Sequence, residues 1–180
     1  MDNQKTVWEK TKREVRQFKD KLGMPVDRGI VETVAILRLL GIHTTSSCAG
    51  HLDRITGGPY VNFASVRNDQ VFTKMKEAGD RKSSEYKRIF NEGTRNNLIE
   101  RQKIVPYLDS FYANRIVPSN QRIIITGFGP TKNCVMCQGA EFGHILGDQE
   151  RNELLNKNKN EMKLFTEYLK LCYFSPKEKP

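Results

Sequence analysis

The chain has 180 residues and a formal net charge of +9, with 37% hydrophobic and 28% charged residues. No run of about 18 apolar residues occurs, so we expect no membrane span. The polar segment 1–12 lacks the apolar core of a signal peptide. Four cysteines at irregular spacing indicate free thiols rather than a disulfide framework. These features predict one cytoplasmic domain covering residues 1–180.

The positive charge is unevenly distributed. Residues 23–66 carry as many acidic as basic groups, so the excess lies on either side of them. Such a field favours an anionic small molecule, a nucleotide or RNA as partner, although a solvated surface explains it equally well. The chain has no arginine-rich tract and no aromatic motif of the RNA-recognition type, so a dedicated nucleic-acid module is not indicated.

The first half of the chain predicts two helices followed by two strands. Trp8, Val15 and Phe18 recur at helical spacing and predict a helix over 3–22. A buried helix over 27–40 follows, with Asp27 as its N-cap and Gly41 after its last turn. A short strand over 42–46, a loop over 47–59 and a half-buried strand over 60–66 complete this half.

The second half predicts helices on either side of a strand pair. The expected elements are a weak helix over 68–82, a longer helix to about 104, a break at Pro106, strands over 122–126 and about 134–138, and a helix over 148–172. Together the two halves predict an α/β or α+β fold, with a small mixed sheet of three to four strands covered by long helices.

The segment with the most candidate functional groups is 44–51, Thr-Thr-Ser-Ser-Cys-Ala-Gly-His. Its hydroxyls suit phosphate or carboxylate oxygens, and its glycine permits a sharp turn and a close ligand approach. In sheets of this kind ligands tend to sit beyond the carboxyl ends of strands, which is where we expect this loop. The alternative is a tight turn whose hydroxyls satisfy the local backbone. The candidate ligand-binding residues are Thr44, Thr45, Ser46, Ser47, Cys48, Gly50, His51 and Arg54.

Two kinds of catalysis fit the same loop. In the first, Cys48 is a thiolate nucleophile with His51 or His43 as its base, and Asp53 lies nearby in sequence. In the second, the loop only positions a substrate and a cofactor performs the chemistry. Cys48 and His51 are the catalytic candidates.

Metal binding is a further interpretation. Cys48 and His51 form a C-x-x-H pattern, and Cys134 and Cys137 form a C-x-x-C pattern. Both spacings are typical of zinc half-sites, and together they would make a closed site of three cysteines and one histidine. The second pair fits equally well a redox pair or two unrelated cysteines on a strand. A zinc-stabilised interaction module is therefore one candidate function.

Two parts of the chain resemble known groups of proteins. The Ser-Ser-Cys-Ala-Gly-His segment resembles the Ser-Ser-Cys-Ser-Gly-Arg motif of the TYW3-like methyltransferases of wybutosine synthesis, over residues 31–63. Ala49 and His51 depart from that motif. This resemblance implies S-adenosylmethionine as cofactor and an RNA or nucleotide as substrate. The segment 21–30 and the Ser-Cys-Ala-Gly-His segment also resemble a group of small bacterial and phage proteins, a resemblance that brings no activity with it.

Our leading hypothesis is a protein that binds a phosphate-bearing small molecule, such as a nucleotide or nucleotide-derived signal, to sense or sequester it. It depends on the hydroxyl-rich loop, Gly50, His51, Arg54 and the basic flanks. The face of the first helix around Trp8 suits either packing within one chain or pairing in a homo-oligomer.

Overall fold

The structure is a computed structural model that describes residues 2–20, 23–53 and 57–175. Its helices are α1 (Asp2–Gln17), α2 (Val31–Leu39), α3 (Val71–Ala78), α4 (Ser84–Gln102), α5 (Val105–Tyr112) and α6 (Asp148–Phe174). Its strands are β1 (Thr44–Cys48), β2 (Tyr60–Phe63), β3 (Ile123–Thr126) and β4 (Asn133–Cys137). Short 3-10 helices span Arg28–Ile30, Val66–Asn68, Ser119–Gln121 and Gln138–Ile145. The predicted class, a small sheet of three to four strands covered by helices, is confirmed as α+β, but the sheet is antiparallel throughout rather than mixed.

The sheet has the strand order β1-β2-β4-β3, and every pairing is antiparallel. Strands β1 and β3 therefore form its edges. Cys48 lies opposite Tyr60, and the register shifts between Thr44 and Ser46, which places a bulge in β1. Ligands sit beyond the carboxyl ends of strands in sheets that are mostly parallel. This sheet is antiparallel, so that expectation does not apply, and the candidate site lies along the edge strand instead.

Helix α2 is buried between α1 and α6. This position explains why its side chains are apolar nearly all round. Within the core, the Thr33 and Thr166 hydroxyls lie 2.8 Å apart and join α2 to α6. Helix α2 also contacts β1, so the edge strand is held directly on the core. Across the described ranges, no helix is both long and apolar enough to cross a bilayer.

The first helix ends at Gln17, five residues before its predicted end, and Leu22 lies outside the described residues. The chain then turns back on itself, because Lys19 pairs with Pro25 in an isolated antiparallel bridge. The Asp20 carboxylate stabilises this turn by accepting a 2.9 Å hydrogen bond from the Met24 N–H. We call residues 18–20 and 23–27, which lie beside β1, the return segment.

Strand β1 begins two residues later than predicted. Gly41 adopts φ +79°, and the Ile42 N–H donates to the Leu37 carbonyl at 3.0 Å. This left-handed ending of α2 uses Ile42 as part of the helix cap, so sheet pairing starts only at Thr44. The strand consequently carries the whole Thr-Thr-Ser-Ser-Cys segment rather than ending within it.

Candidate functional site: a cavity along the edge strand

A cavity of about 570 Å³ lies between β1 and the return segment. All five residues of β1 line it, from Thr44 to Cys48. The opposite wall includes Phe18, Met24 and Asp27. This volume falls within the usual range of small-molecule sites. The sequence-predicted hydroxyls thus border one cavity and do not form an isolated turn.

The open edge of β1 also presents backbone groups. The Ala49 N–H points away from β2, since it donates to the Asp27 carboxylate at 2.9 Å. Backbone groups of alternate residues in a strand point to the same side. The Ser47 N–H and carbonyl therefore face the same open edge. Within the described residues, β1 pairs only with β2, so this edge is available to a ligand.

The hydroxyl side chains of β1 differ in their partners. Thr44 is buried, and its Oγ1 accepts a long 3.4 Å hydrogen bond from the Arg38 guanidinium. The Ser46 Oγ accepts from the Asn62 amide on β2 at 2.9 Å. Thr45 is exposed at the bulge. The strand therefore offers hydroxyls held at defined positions, together with a neighbouring cation.

Arg38 is a site residue that the sequence patterns did not reveal. It lies in the last turn of α2 and lines the cavity. Its guanidinium stacks over the Phe18 ring at 4.4 Å from the ring centroid. In the part of the chain that the structure describes, no carboxylate lies within ion-pair distance of it. The only sequence signal is one basic residue in an otherwise apolar helix, which is also typical of a helix C-terminus.

At the C-terminal end of β1, three side chains form what we call the Asp27 cluster: Asp27, Cys48 and His51. One ligand atom from each lies within 4.8 Å of the other two. The His51 Nε2 is 3.0 Å from the Asp27 Oδ2. The sequence predicts Asp27 as a helix N-cap, but it makes no side-chain cap bond and its carboxylate is directed to residues 48–51. The sequence cannot distinguish an aspartate that caps a helix from one that contacts the 48–51 loop, because the same residue type serves both roles.

The Asp27 carboxyl is held in its charged form. Its partial burial acts to raise its pKa and is the largest single influence. Three interactions lower the pKa: those with the Ala49 N–H, with His51 and with the Cys48 thiol. Together they outweigh burial, so the net effect is a lowered pKa. The cluster therefore contains a carboxylate at neutral pH, in contact with a thiol and an imidazole.

Small residues allow the loop after β1 to approach its neighbours. Gly50 adopts φ +82°, and a Cβ there would lie 2.8 Å from the Leu155 side chain and 2.9 Å from the Gly58 backbone. Its N–H donates to the Cys48 Sγ at 3.4 Å. A Cβ on Gly29 would lie 3.2 Å from that of Ala49, so the turn carrying Asp27 packs directly on this loop. The predicted role of Gly50 in a sharp turn is thereby accounted for.

The remaining predicted residues lie in three places. Arg54 falls outside the described residues. His43 precedes β1, five residues from Cys48, which is roughly 16 Å along a strand, and its N–H donates to Glu100. Cys134 and Cys137 lie on β4, and the Cys137 thiol contacts the Asn158 carbonyl. Neither thiol of that pair belongs to the Asp27 cluster.

No family model, no curated protein and no solved structure matches this chain. The site must therefore be interpreted from its own geometry.

Proposed function

We propose that the protein binds a phosphate-bearing small molecule, of nucleotide size, in the cavity along β1. The observation that carries the proposal is the Arg38 guanidinium, which lines the cavity without a described carboxylate partner. It stands beside the hydroxyls of the strand. A guanidinium with neighbouring hydroxyl and N–H donors is the chemistry that recognises phosphate oxygens.

The cavity wall also carries three carboxylates, Asp20, Asp27 and Asp53, beside the cations Arg38 and Lys19. The Asp20 carboxylate accepts from the Met24 N–H, and the Asp27 carboxylate is paired with Ala49 and His51. Lys19, which is exposed, adds a second cation to the same wall. A phosphate group would therefore bind beside Arg38 and the Thr44 hydroxyl rather than beside the Asp27 carboxylate.

The rest of the cavity suits the organic part of such a ligand. Phe18, Met24 and Tyr60 contribute apolar and aromatic surface to its walls. Aromatic rings stack on nucleobases with little preference for the base. A nucleotide would thus place its phosphate near Arg38 and its base against these side chains.

The experiment is calorimetric titration of the full chain with inorganic phosphate and with nucleoside mono-, di- and triphosphates. We expect saturable binding of at least one nucleotide. Arg38→Ala should weaken that binding by about 10-fold, the usual effect of losing one charge-assisted contact. The control is Arg95→Ala, which removes the same charge from an exposed position on α4 outside the cavity.

Equal loss of affinity in both variants would mean that binding follows net charge rather than the cavity. Unchanged affinity in a folded Arg38→Ala protein would refute the proposed site directly.

Methyl transfer with S-adenosylmethionine is a second candidate. The segment 31–63, which carries the resemblance to the wybutosine-synthesis enzymes, corresponds to α2, β1 and β2, and all three contribute residues to the cavity. Adding S-adenosylmethionine to the titration tests this alternative. Saturable binding of that cofactor in preference to nucleotides would favour methyl transfer over sequestration.

A further inference from the structure

The Asp27 cluster brings together the donor types that zinc prefers. A carboxylate oxygen, a thiol sulfur and an imidazole nitrogen lie within 4.8 Å of one another. In a tetrahedral site with bonds of about 2.0–2.3 Å, neighbouring ligand atoms lie about 3.3–3.7 Å apart. The three side chains therefore need only a small contraction to surround one ion.

We propose that Asp27, Cys48 and His51 bind one Zn²⁺ and leave its fourth coordination position open to the cavity. Asp27 and Cys48 both line the cavity, so an ion held between them faces its interior. Three protein ligands with one open position are typical of catalytic zinc, whereas structural zinc sites are closed by four. On binding, the Cys48 thiol releases its proton to solvent and a zinc–sulfur bond replaces the S–H bond.

The surroundings of the cluster support a metal rather than a nucleophilic cysteine. In a nucleophilic pair the thiol is bonded to its imidazole base. In this cluster, both the thiol and His51 are hydrogen-bonded to the Asp27 carboxylate. Both hydrogen bonds meet at Asp27, so they do not pair the thiol with an imidazole base, and the three ligand atoms are close enough to surround one ion.

Backbone donors hold two of the three ligands in place. The Ala49 N–H fixes the Asp27 carboxylate, and the Gly50 N–H donates to the Cys48 sulfur at 3.4 Å. Hydrogen bonds of this kind orient ligands and stabilise a thiolate. This site differs from the Cys48, His51, Cys134 and Cys137 set that the sequence suggested, because Asp27 takes the place of the second cysteine pair.

The test is metal binding by the full chain after removal of metal with a chelator. Zn²⁺ is titrated against a chromogenic competitor, and Co²⁺ is used as a spectroscopic probe. We expect one ion per chain and a thiolate-to-cobalt charge-transfer band. Cys48→Ser should abolish that band and weaken zinc binding at least about 10-fold, since even the loss of a supporting residue has that effect.

Two further variants make the result specific. Asp27→Asn should also weaken zinc binding at least about 10-fold. Because the Asp27 side chain is partly exposed, this variant still tests the site if the buried Cys48→Ser variant does not fold. Cys134→Ser is the matched control, and its zinc affinity should stay within about 2-fold of the parent. A folded parent protein without stoichiometric zinc, or an equal loss in Cys134→Ser, would overturn the proposal. Neither outcome depends on nucleotide binding, so the two proposals fail separately.

Discussion

Gly50 should be far less tolerant of a side chain than Gly41, although the two glycines have almost the same backbone. Their φ angles are +82° and +79°. A Cβ on Gly41 would meet nothing within 4 Å, whereas one on Gly50 would approach Leu155 at 2.8 Å and the Gly58 backbone at 2.9 Å. Gly41→Ala therefore measures the conformational cost alone, and Gly50→Ala measures that cost plus the overlap.

The expected magnitudes follow from these two contributions. Placing alanine in the left-handed region costs about 1 kcal/mol of unfolding free energy. Overpacking against a backbone that cannot move adds about 1–3 kcal/mol. For a chain of this length, 1 kcal/mol corresponds to about 2–4 °C in Tm. We expect Gly41→Ala to lower the Tm by about 3 °C and Gly50→Ala by about two to four times as much.

The assay is thermal and urea unfolding followed by far-ultraviolet circular dichroism, with both variants measured beside the parent. The difference between the variants is the informative quantity, because it cancels the shared backbone contribution. Equal shifts would show that the loop after β1 does not pack on α6 and residues 57–59 as described. In that case the position of the Asp27 cluster would also be in doubt.

Two further predictions concern other parts of the fold. Glu161 is buried and accepts hydrogen bonds from Arg115 at 2.8 and 2.9 Å and from the Tyr112 hydroxyl at 2.8 Å. Glu161→Ala should lower the unfolding free energy by about 2–4 kcal/mol in urea titrations, because it leaves a partly buried cation without its partner. The control Glu85→Ala removes an exposed ion pair with Arg88 and should cost less than about 1 kcal/mol. Equal midpoints for the two variants would contradict this interpretation. Burial raises the pKa of Cys134 from 9.0 to about 11, so its thiolate fraction at pH 8 falls roughly 100-fold. Mass-spectrometric alkylation should therefore be roughly 100-fold slower at Cys134 in the native protein than in urea, and comparable rates would show that this thiol is accessible.

Much of the fold could be predicted from local patterns. The apolar periodicity of the last helix predicted most of α6, and Gly41 marked the end of α2 because only a left-handed residue closes a helix in that way. Boundaries were less accurate where a turn depends on a side chain. The return segment is closed by Asp20 and by pairing with Pro25, and neither interaction has a periodic signal.

The site was predicted only in part. The segment 44–51 was found because hydroxyls, a thiol, a glycine and an imidazole occur together in it. Asp27 and Arg38 were missed because each also fits an ordinary helix-end role, and only the tertiary structure places them beside β1. The paired Cys134 and Cys137 suggested a half-site, but residues three apart on a strand point to opposite faces of the sheet.

The central claim is that a phosphate-bearing ligand occupies the cavity along β1. The most direct measurement is an amide ¹H–¹⁵N NMR titration of the full chain with the nucleotide that binds most tightly in calorimetry. We expect the largest shift changes on the amides of Thr44–Cys48 and of the return segment, and we expect Arg38→Ala to reduce them at equal ligand concentration. Changes confined to exposed residues of α4, such as Arg88 and Arg95, with β1 unaffected, would contradict the claim.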